Sequence, residues 1–179
     1  MNFLINIILD LLFPRRCPVC GQIVMPKGSL ICPGCVKKLS WVRGPVCKCC
    51  GKEIISGTME YCPDCAAHPR SFSHGMALFN YNEISAPSLA MVKYHDRREY
   101  LDFYAEAAYR RYAKTIARLS PDLIIPVPVH KSRLKKRGFN QTEEFGKRLS
   151  VYLGIPMSSE YLIRSKKTAP QKDLGPALR

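Results

Sequence analysis

The sequence predicts an α/β protein in which two small cysteine-bound modules precede an incomplete parallel-sheet domain. Three observations predict it. Cysteines between positions 17 and 65 recur at a fixed period. From Arg98 to Leu119 apolar residues follow helical spacing, at 101, 105, 108, 109, 112, 113, 116 and 119. Then a short, continuously apolar run, Leu123 to Val129, stands between that helix and another, as a buried parallel strand does.

The cysteines carry the strongest signal. Cys17-Pro-Val-Cys20 is followed after eleven residues by Cys32-Pro-Gly-Cys35, and Cys47-Lys-Cys-Cys50 after eleven residues by Cys62-Pro-Asp-Cys65. A shift of thirty residues carries all four cysteines of the first module onto cysteines of the second, Gly21 onto Gly51 and Pro33 onto Pro63. A C-x-x-C turn sets two thiolates on one edge of a tetrahedron, and a second turn closes it. Two structural Zn²⁺ ions are therefore expected. Cys17, Cys20, Cys32, Cys35, Cys47, Cys50, Cys62 and Cys65 are the ligands. Four sulfurs close such a site and leave no position for water, so no zinc chemistry on a substrate is expected. A disulfide framework would need an oxidising compartment, and no signal peptide is read at the N-terminus. A redox C-x-x-C does not account for four pairs in a repeat. Sequential and interleaved pairing of the modules both fit the spacing. Cys49 reads as a spectator thiol or as a substitute for Cys47 or Cys50.

The chain has 179 residues and a formal charge of +14. Eight thiolates and two Zn²⁺ would leave about +10. Such a balance favours nucleic acid, phosphate-bearing ligands or anionic membranes. The cysteine region, 15–70, is too poor in large apolar residues to build a core and needs metal to fold.

Residues 1–14 are apolar, with Asn2, Asn6 and Asp10 four apart on one helical face. The stretch is shorter than the roughly 20 residues of a membrane span. It reads as an amphipathic helix docked on the protein, with attachment at a membrane surface as the alternative. Residues 66–75 read as a linker. Met76 to Tyr81 reads as a strand, and Ser85 to Lys93 as a short helix. After the apolar run and its prolines, 131–137 holds five basic residues in seven and reads as a loop at the edge where open α/β sheets bind ligands. Basic side chains there suit a phosphate or a nucleic-acid backbone. A helix from about 142 to 153 follows, with Thr142 as N-cap. A second short strand is expected near 160–163.

Several motifs occur in order: a Leu-Leu-Phe-Pro lead-in to the Cys-Pro-x-Cys-Gly knuckle, then Phe79-x-Tyr81, Val92-Lys93-Tyr94 and Pro126-Val-Pro-Val-His130. Arg133-x-x-x-Arg137-Gly138-Phe139-Asn140-Gln141 and Thr168-x-x-Gln171-x-x-Leu174 follow. Along essentially its whole length the sequence resembles the ComF family of competence-associated proteins. That resemblance implies a double zinc ribbon joined to a Rossmann-like, type I phosphoribosyltransferase-like domain, here incomplete, over 71–179. It also implies a link to single-stranded DNA uptake in natural transformation. Arg133, Arg137, Asn140 and Gln141 match the family's basic motif. With Lys93 they are the expected phosphate or nucleic-acid contacts. Thr168 to Arg179 resembles the start of the loop that closes over a phosphoribosyl ligand.

The donor loop of that family, an acidic pair followed by a Thr-rich Gly turn, occurs nowhere in these residues. The resemblance sets it beyond Arg179, so the chain is expected to be a C-terminally truncated member, inactive as a transferase as it stands. Three functions follow. One is handling of single-stranded DNA. Another is phosphoribosyl transfer in a full-length form that binds phosphoribosyl pyrophosphate. The third is a non-enzymatic adaptor docking on other competence proteins. The expected location is the cytoplasm, or the membrane periphery if the N-terminal helix attaches there. Tyr94, Tyr100, Phe103 and Tyr104 are candidate stacking aromatics, although helical spacing puts several of them in the core. No catalytic residue is identified, and a lone histidine such as His130 at a strand end reads as structural.

Overall fold

The computed structural model describes residues 12–168. The N-terminal helix expected over 1–14 falls almost wholly outside the described residues, as does the loop beyond Thr168. The chain divides into two compact units, Met1–Arg111 and Tyr112–Arg179. Six helices are described: α1 Pro33–Lys38, α2 Pro63–Ala67, α3 Ser85–Tyr94, α4 Tyr100–Leu119, α5 Lys131–Arg137 and α6 Gln141–Leu153.

The thirty-residue repeat is also a repeat of backbone geometry. The Cys17 and Cys47 amides donate to the Gln22 and Lys52 carbonyls, each at 2.8 Å. The Gly21 and Gly51 amides donate to the Cys17 and Cys47 carbonyls, each at 2.9 Å. Both glycines turn with positive φ, 71° and 72°, which a residue without Cβ adopts at little cost. One antiparallel bridge follows each turn, Arg16 with Ile23 and Val46 with Glu53. Each module then ends in a helix, α1 or α2, whose N-cap is Cys32 or Cys62 and whose first turn carries proline.

In the first unit the rest of the core joins a cluster of aromatic rings to aliphatic side chains such as Leu39, Val42 and Val92. Trp41 and Phe79 rings lie 4.5 Å apart, and Phe79 sits 5.8 Å from Tyr104 and 6.2 Å from Phe103. α4 buries Tyr100, Leu101, Phe103, Tyr104, Ala105 and Ala107. Its apolar face is thus covered over its first half. The buried Tyr104 hydroxyl is satisfied by Ser88 Oγ of α3 at 2.6 Å, as a buried phenol requires. Arg15 fixes the lead-in to the first ribbon, donating to Asp102 at 2.8 Å and to the Glu99 carbonyl at 3.0 Å.

The strand expected over Met76–Tyr81 is a single bridge, Trp41 with Phe79. It is flanked by Val42 N to Leu78 O at 3.3 Å and Asn80 N to Ser40 O at 2.8 Å. The partner segment is squeezed between the end of α1 and the second cysteine module, so the ladder stops there. Residues 66–75 are less of a linker than their composition suggests. Their last residue, Gly75, donates to the Cys49 carbonyl at 2.6 Å.

In the second unit Ile124 pairs with Met157 in a parallel bridge, through Ile124 N to Pro156 O at 2.9 Å and Ser158 N to Ile124 O at 3.1 Å. α5 and α6 lie in sequence between these partners, as a parallel crossover demands. The apolar run leaves the ladder at once because Pro126 and Pro128 lack donors. The second strand was expected at 160–163. Pairing occurs instead at Met157, and Tyr161, Leu162 and Ile163 are exposed. Gly146 on α6 faces this pairing. A Cβ there would lie 2.9 Å from Met157 Sδ and 3.5 Å from Ile124 Cγ2. Gly146→Val is expected to destabilise the second unit by about 1–3 kcal/mol, read as a lowered midpoint of its urea transition.

Candidate functional site

Each ribbon brings together the four sulfurs of one module. Cys17, Cys20, Cys32 and Cys35 have sulfurs within 4.8 Å of one another, and so do Cys47, Cys50, Cys62 and Cys65. Pairing is therefore sequential and not interleaved. A tetrahedron with Zn–S of ~2.3 Å has edges of ~3.8 Å, and the Cys50 and Cys62 sulfurs stand 3.8 Å apart. All nine cysteines are free thiols. Two all-sulfur tetrads with this separation fit two structural Zn²⁺ ions. Cys49 packs against the second cluster without joining the tetrad, which answers the question left open by its position.

The electrostatics of the tetrads also favour a cation. Burial pushes the Cys17 thiol up, but backbone amides of Cys20, Cys32 and Val19 outweigh it and bring the group down to about 7. At Cys47 burial is again opposed by backbone amides, of Cys50, Cys62 and Cys49, and the thiol falls to about 6. Burial and the neighbouring sulfurs Cys20 and Cys17 push Cys35 up to about 12. Cys65 rises as well, through burial and its neighbours Cys50 and Cys62. One sulfur in each tetrad thus ionises readily, and its charge opposes ionisation of Cys32 and Cys35 in the first and of Cys50 and Cys65 in the second. A divalent ion removes that opposition, because it favours every thiolate at once.

The remaining expected site residues divide between the units. Lys93 is exposed in the last turn of α3 in the first unit. Arg133, Arg137, Asn140 and Gln141 lie together in the second. The segment 131–137, read from its charge as a loop, is the helix α5. His130 caps its start, Nδ1 accepting from Ser132 N at 3.2 Å. Gly138, at φ 82°, ends it. Arg133 and Arg137 occupy one face, four residues apart. Arg133 donates to the Thr168 carbonyl at 3.1 Å, and Arg137 donates to the Gln141 side chain. Asn140, not Thr142, is the N-cap of α6, accepting from Thr142 N at 3.2 Å. Its amide nitrogen donates to the Val127 carbonyl at 3.1 Å, tying the helix start to the proline-rich run. Asn140 is buried, so it holds the frame of the basic segment and does not reach outward. Of the candidate stacking aromatics, Tyr100, Phe103 and Tyr104 are buried in the core, whereas Tyr94 is 65% exposed.

The fold and its tetrads define a double zinc-ribbon protein, and residues 8–66 match the family described as a double zinc ribbon domain. Over 167 residues the chain is 30% identical to "Competence protein F" of Haemophilus influenzae, covering 91% of this chain and 71% of that relative. It is 23% identical to "Competence protein ComFC" of Bacillus subtilis, over 92% of this chain and 71% of the relative. It is 25% identical to "DNA utilization protein YhgH" of Escherichia coli K12, over 93% and 74%. The chain belongs to the ComF family. No solved structure matches it. No described helix is long and apolar enough to cross a membrane.

Proposed function

We propose that the chain is a zinc-dependent, competence-type protein that handles single-stranded DNA, with α5 as its contact to the phosphate backbone. One observation carries this reading. α5 holds five basic residues and no acidic residue, and Lys131, Lys135 and Lys136 are exposed. Like charges at spacing three and four cost roughly 0.2–0.5 kcal/mol per pair, and the cations near its N-terminus oppose the helix dipole. A short helix that keeps such repulsion, held by caps at both ends, is organised for an anionic partner more than for its own stability. The names of the relatives, two competence proteins and a DNA utilization protein, support the same reading. Arg133 and Arg137 would contact phosphates. Asn140 and Gln141 would position them, and Lys93 would add a separate contact. The ribbon region, 15–70, would act as the folded scaffold, working in the cytoplasm alongside other competence proteins.

Arg133→Gln combined with Arg137→Gln is expected to weaken binding of a labelled oligo-dT about tenfold at low salt. It should also lower the slope of log affinity against log salt by ~1.4, two phosphate contacts at ~0.7 each for single strands. Fluorescence anisotropy measures both, and unchanged zinc content shows that the variant folds. Wild-type protein that fails to bind oligo-dT at low salt with zinc present would sink the reading.

A second reading rests on the parallel bridge between Ile124 and Met157. With α5 and α6 in between, it supports a Rossmann-like, phosphoribosyltransferase-type half-domain over 71–179. In a longer form carrying the acidic-pair loop, such a domain would bind phosphoribosyl pyrophosphate. Calorimetric titration of that compound into such a form tests it, and absence of heat with Mg²⁺ present would count against it.

A further inference from the structure

A cavity of about 370 Å³ lies in the first unit, where the lead-in to the first ribbon meets the turn between α3 and α4. Phe13, Arg15, Arg16, Arg97 and Glu99 are among its walls. We propose that it is a nucleotide subsite for single-stranded nucleic acid, with Phe13 stacking one base and Arg16 and Arg97 holding the adjoining phosphates. The proposal rests on the single-strand reading above and adds a second contact to it.

The three arginines are not equivalent. Arg15 is consumed by Asp102 and the Glu99 carbonyl. Arg16 spends Nη1 on the Gly21 carbonyl at 3.1 Å, which leaves further guanidinium donors. Arg97 reaches Glu99 only at 3.6 Å, a loose pair that a phosphate can replace with charge-assisted hydrogen bonds. Phe13 is 76% exposed. An uncovered aromatic ring beside cations is the combination that single-strand binders use, because every base has a face to stack. The cavity is at the small end of the range for ligand pockets, which suits one nucleotide unit. An anionic membrane would also attract arginines beside Leu12 and Phe13, but a lipid surface engages protruding side chains, and this site is concave.

Arg16 is also one residue before Cys17 and grips the backbone of the first knuckle, so the subsite is built on the first zinc module. Its integrity should therefore follow the first tetrad and not the second.

The test uses the zinc-loaded full chain and labelled oligo-dT, read by anisotropy across a salt series. Phe13→Ala should weaken binding roughly 5- to 150-fold, the range of one lost base stack, and Phe13→Tyr should retain affinity. Arg97→Gln should reduce the salt slope by ~0.7. Phe13 is exposed, so loss of fold is not the expected cause, and zinc content and melting midpoint check this. If Phe13→Ala binds within about twofold of wild type while the α5 double variant is impaired, the subsite is overturned and the single-strand reading stands. If wild type does not bind oligo-dT, both fall. If Phe13→Ala loses binding to phosphatidylglycerol vesicles but keeps oligo-dT, the surface is a membrane contact and the nucleotide subsite is overturned.

Discussion

Replacing Cys20 with serine is expected to remove one zinc equivalent and leave the other, and replacing Cys50 with serine to do the reverse. The sulfurs cluster within, not between, modules, so each substitution breaks one closed tetrad. Neither module holds many large apolar side chains, and the buried cluster of the second is Cys47, Ile54, Cys62 and Cys65. Metal binding in such sites is folding free energy, on the order of 10–16 kcal/mol for small zinc modules near neutral pH. Zinc removal should therefore unfold the ribbons outright, the largest effect expected of any single change. Proton competition adds a direction. Every ligand must be deprotonated, so acidification should release zinc. Metal analysis of dialysed variants checks stoichiometry, and far-UV circular dichroism with and without chelator checks the fold. A single cysteine substitution that cost both ions would contradict the closed, sequential tetrads.

The second large effect is expected at Gly75. A Cβ there would lie 2.8 Å from the Cys50 Cα and carbonyl oxygen, and one on Gly51 would lie 2.4 Å from the Gly75 carbonyl oxygen. The obstacles are backbone atoms, which cannot rotate aside. Gly75→Ala must part the two segments and break the Gly75 N to Cys49 O bond, at a cost of about 3 kcal/mol or more. Gly21 is the internal control. It shares the left-handed turn of Gly51 but has nothing within 4 Å of its would-be Cβ, so Gly21→Ala should cost only the ~1–2 kcal/mol of the turn conformation. Thermal melts of the zinc-loaded variants rank them. Equal losses at positions 21 and 75 would show that the close approach carries no energy.

The zinc ribbons were legible because their determinants are local. Ligand type, spacing and period are all written along the chain, and Gly21 and Gly51 mark the turns. α3, α4 and α6 were legible within one or two residues, α4 from its apolar spacing, α3 from the proline in its first turn and α6 from its polar start and from Gly154 as a stop. α5 was not. Its charge run has no apolar period, and what makes it a helix is the cap from His130 and the left-handed Gly138, neither of which composition reveals. The same holds for Asn140. As part of a basic motif it looked like a ligand contact, yet its burial and its bond to Val127 depend on where the proline-rich run passes. The extent of the strands depends on partners distant in sequence. For that reason Phe79 and Ile124 pair for one residue where a longer ladder was expected. The approach of Gly75 to Cys50 had no signal beyond the glycine itself.

Trp41 is the chain's one tryptophan, and its position has a practical consequence. Its indole N–H donates to the Val36 carbonyl at 3.1 Å, on the helix that Cys32 begins, while its ring lies against Phe79. The protein thus carries a native fluorophore fastened to the first zinc module. The second module has no counterpart, since the residue one repeat further on is Ser71. Emission excited at the red edge of the indole band should report loading of the first site while the second stays optically silent, so the order in which the two ions enter and leave can be followed without a label.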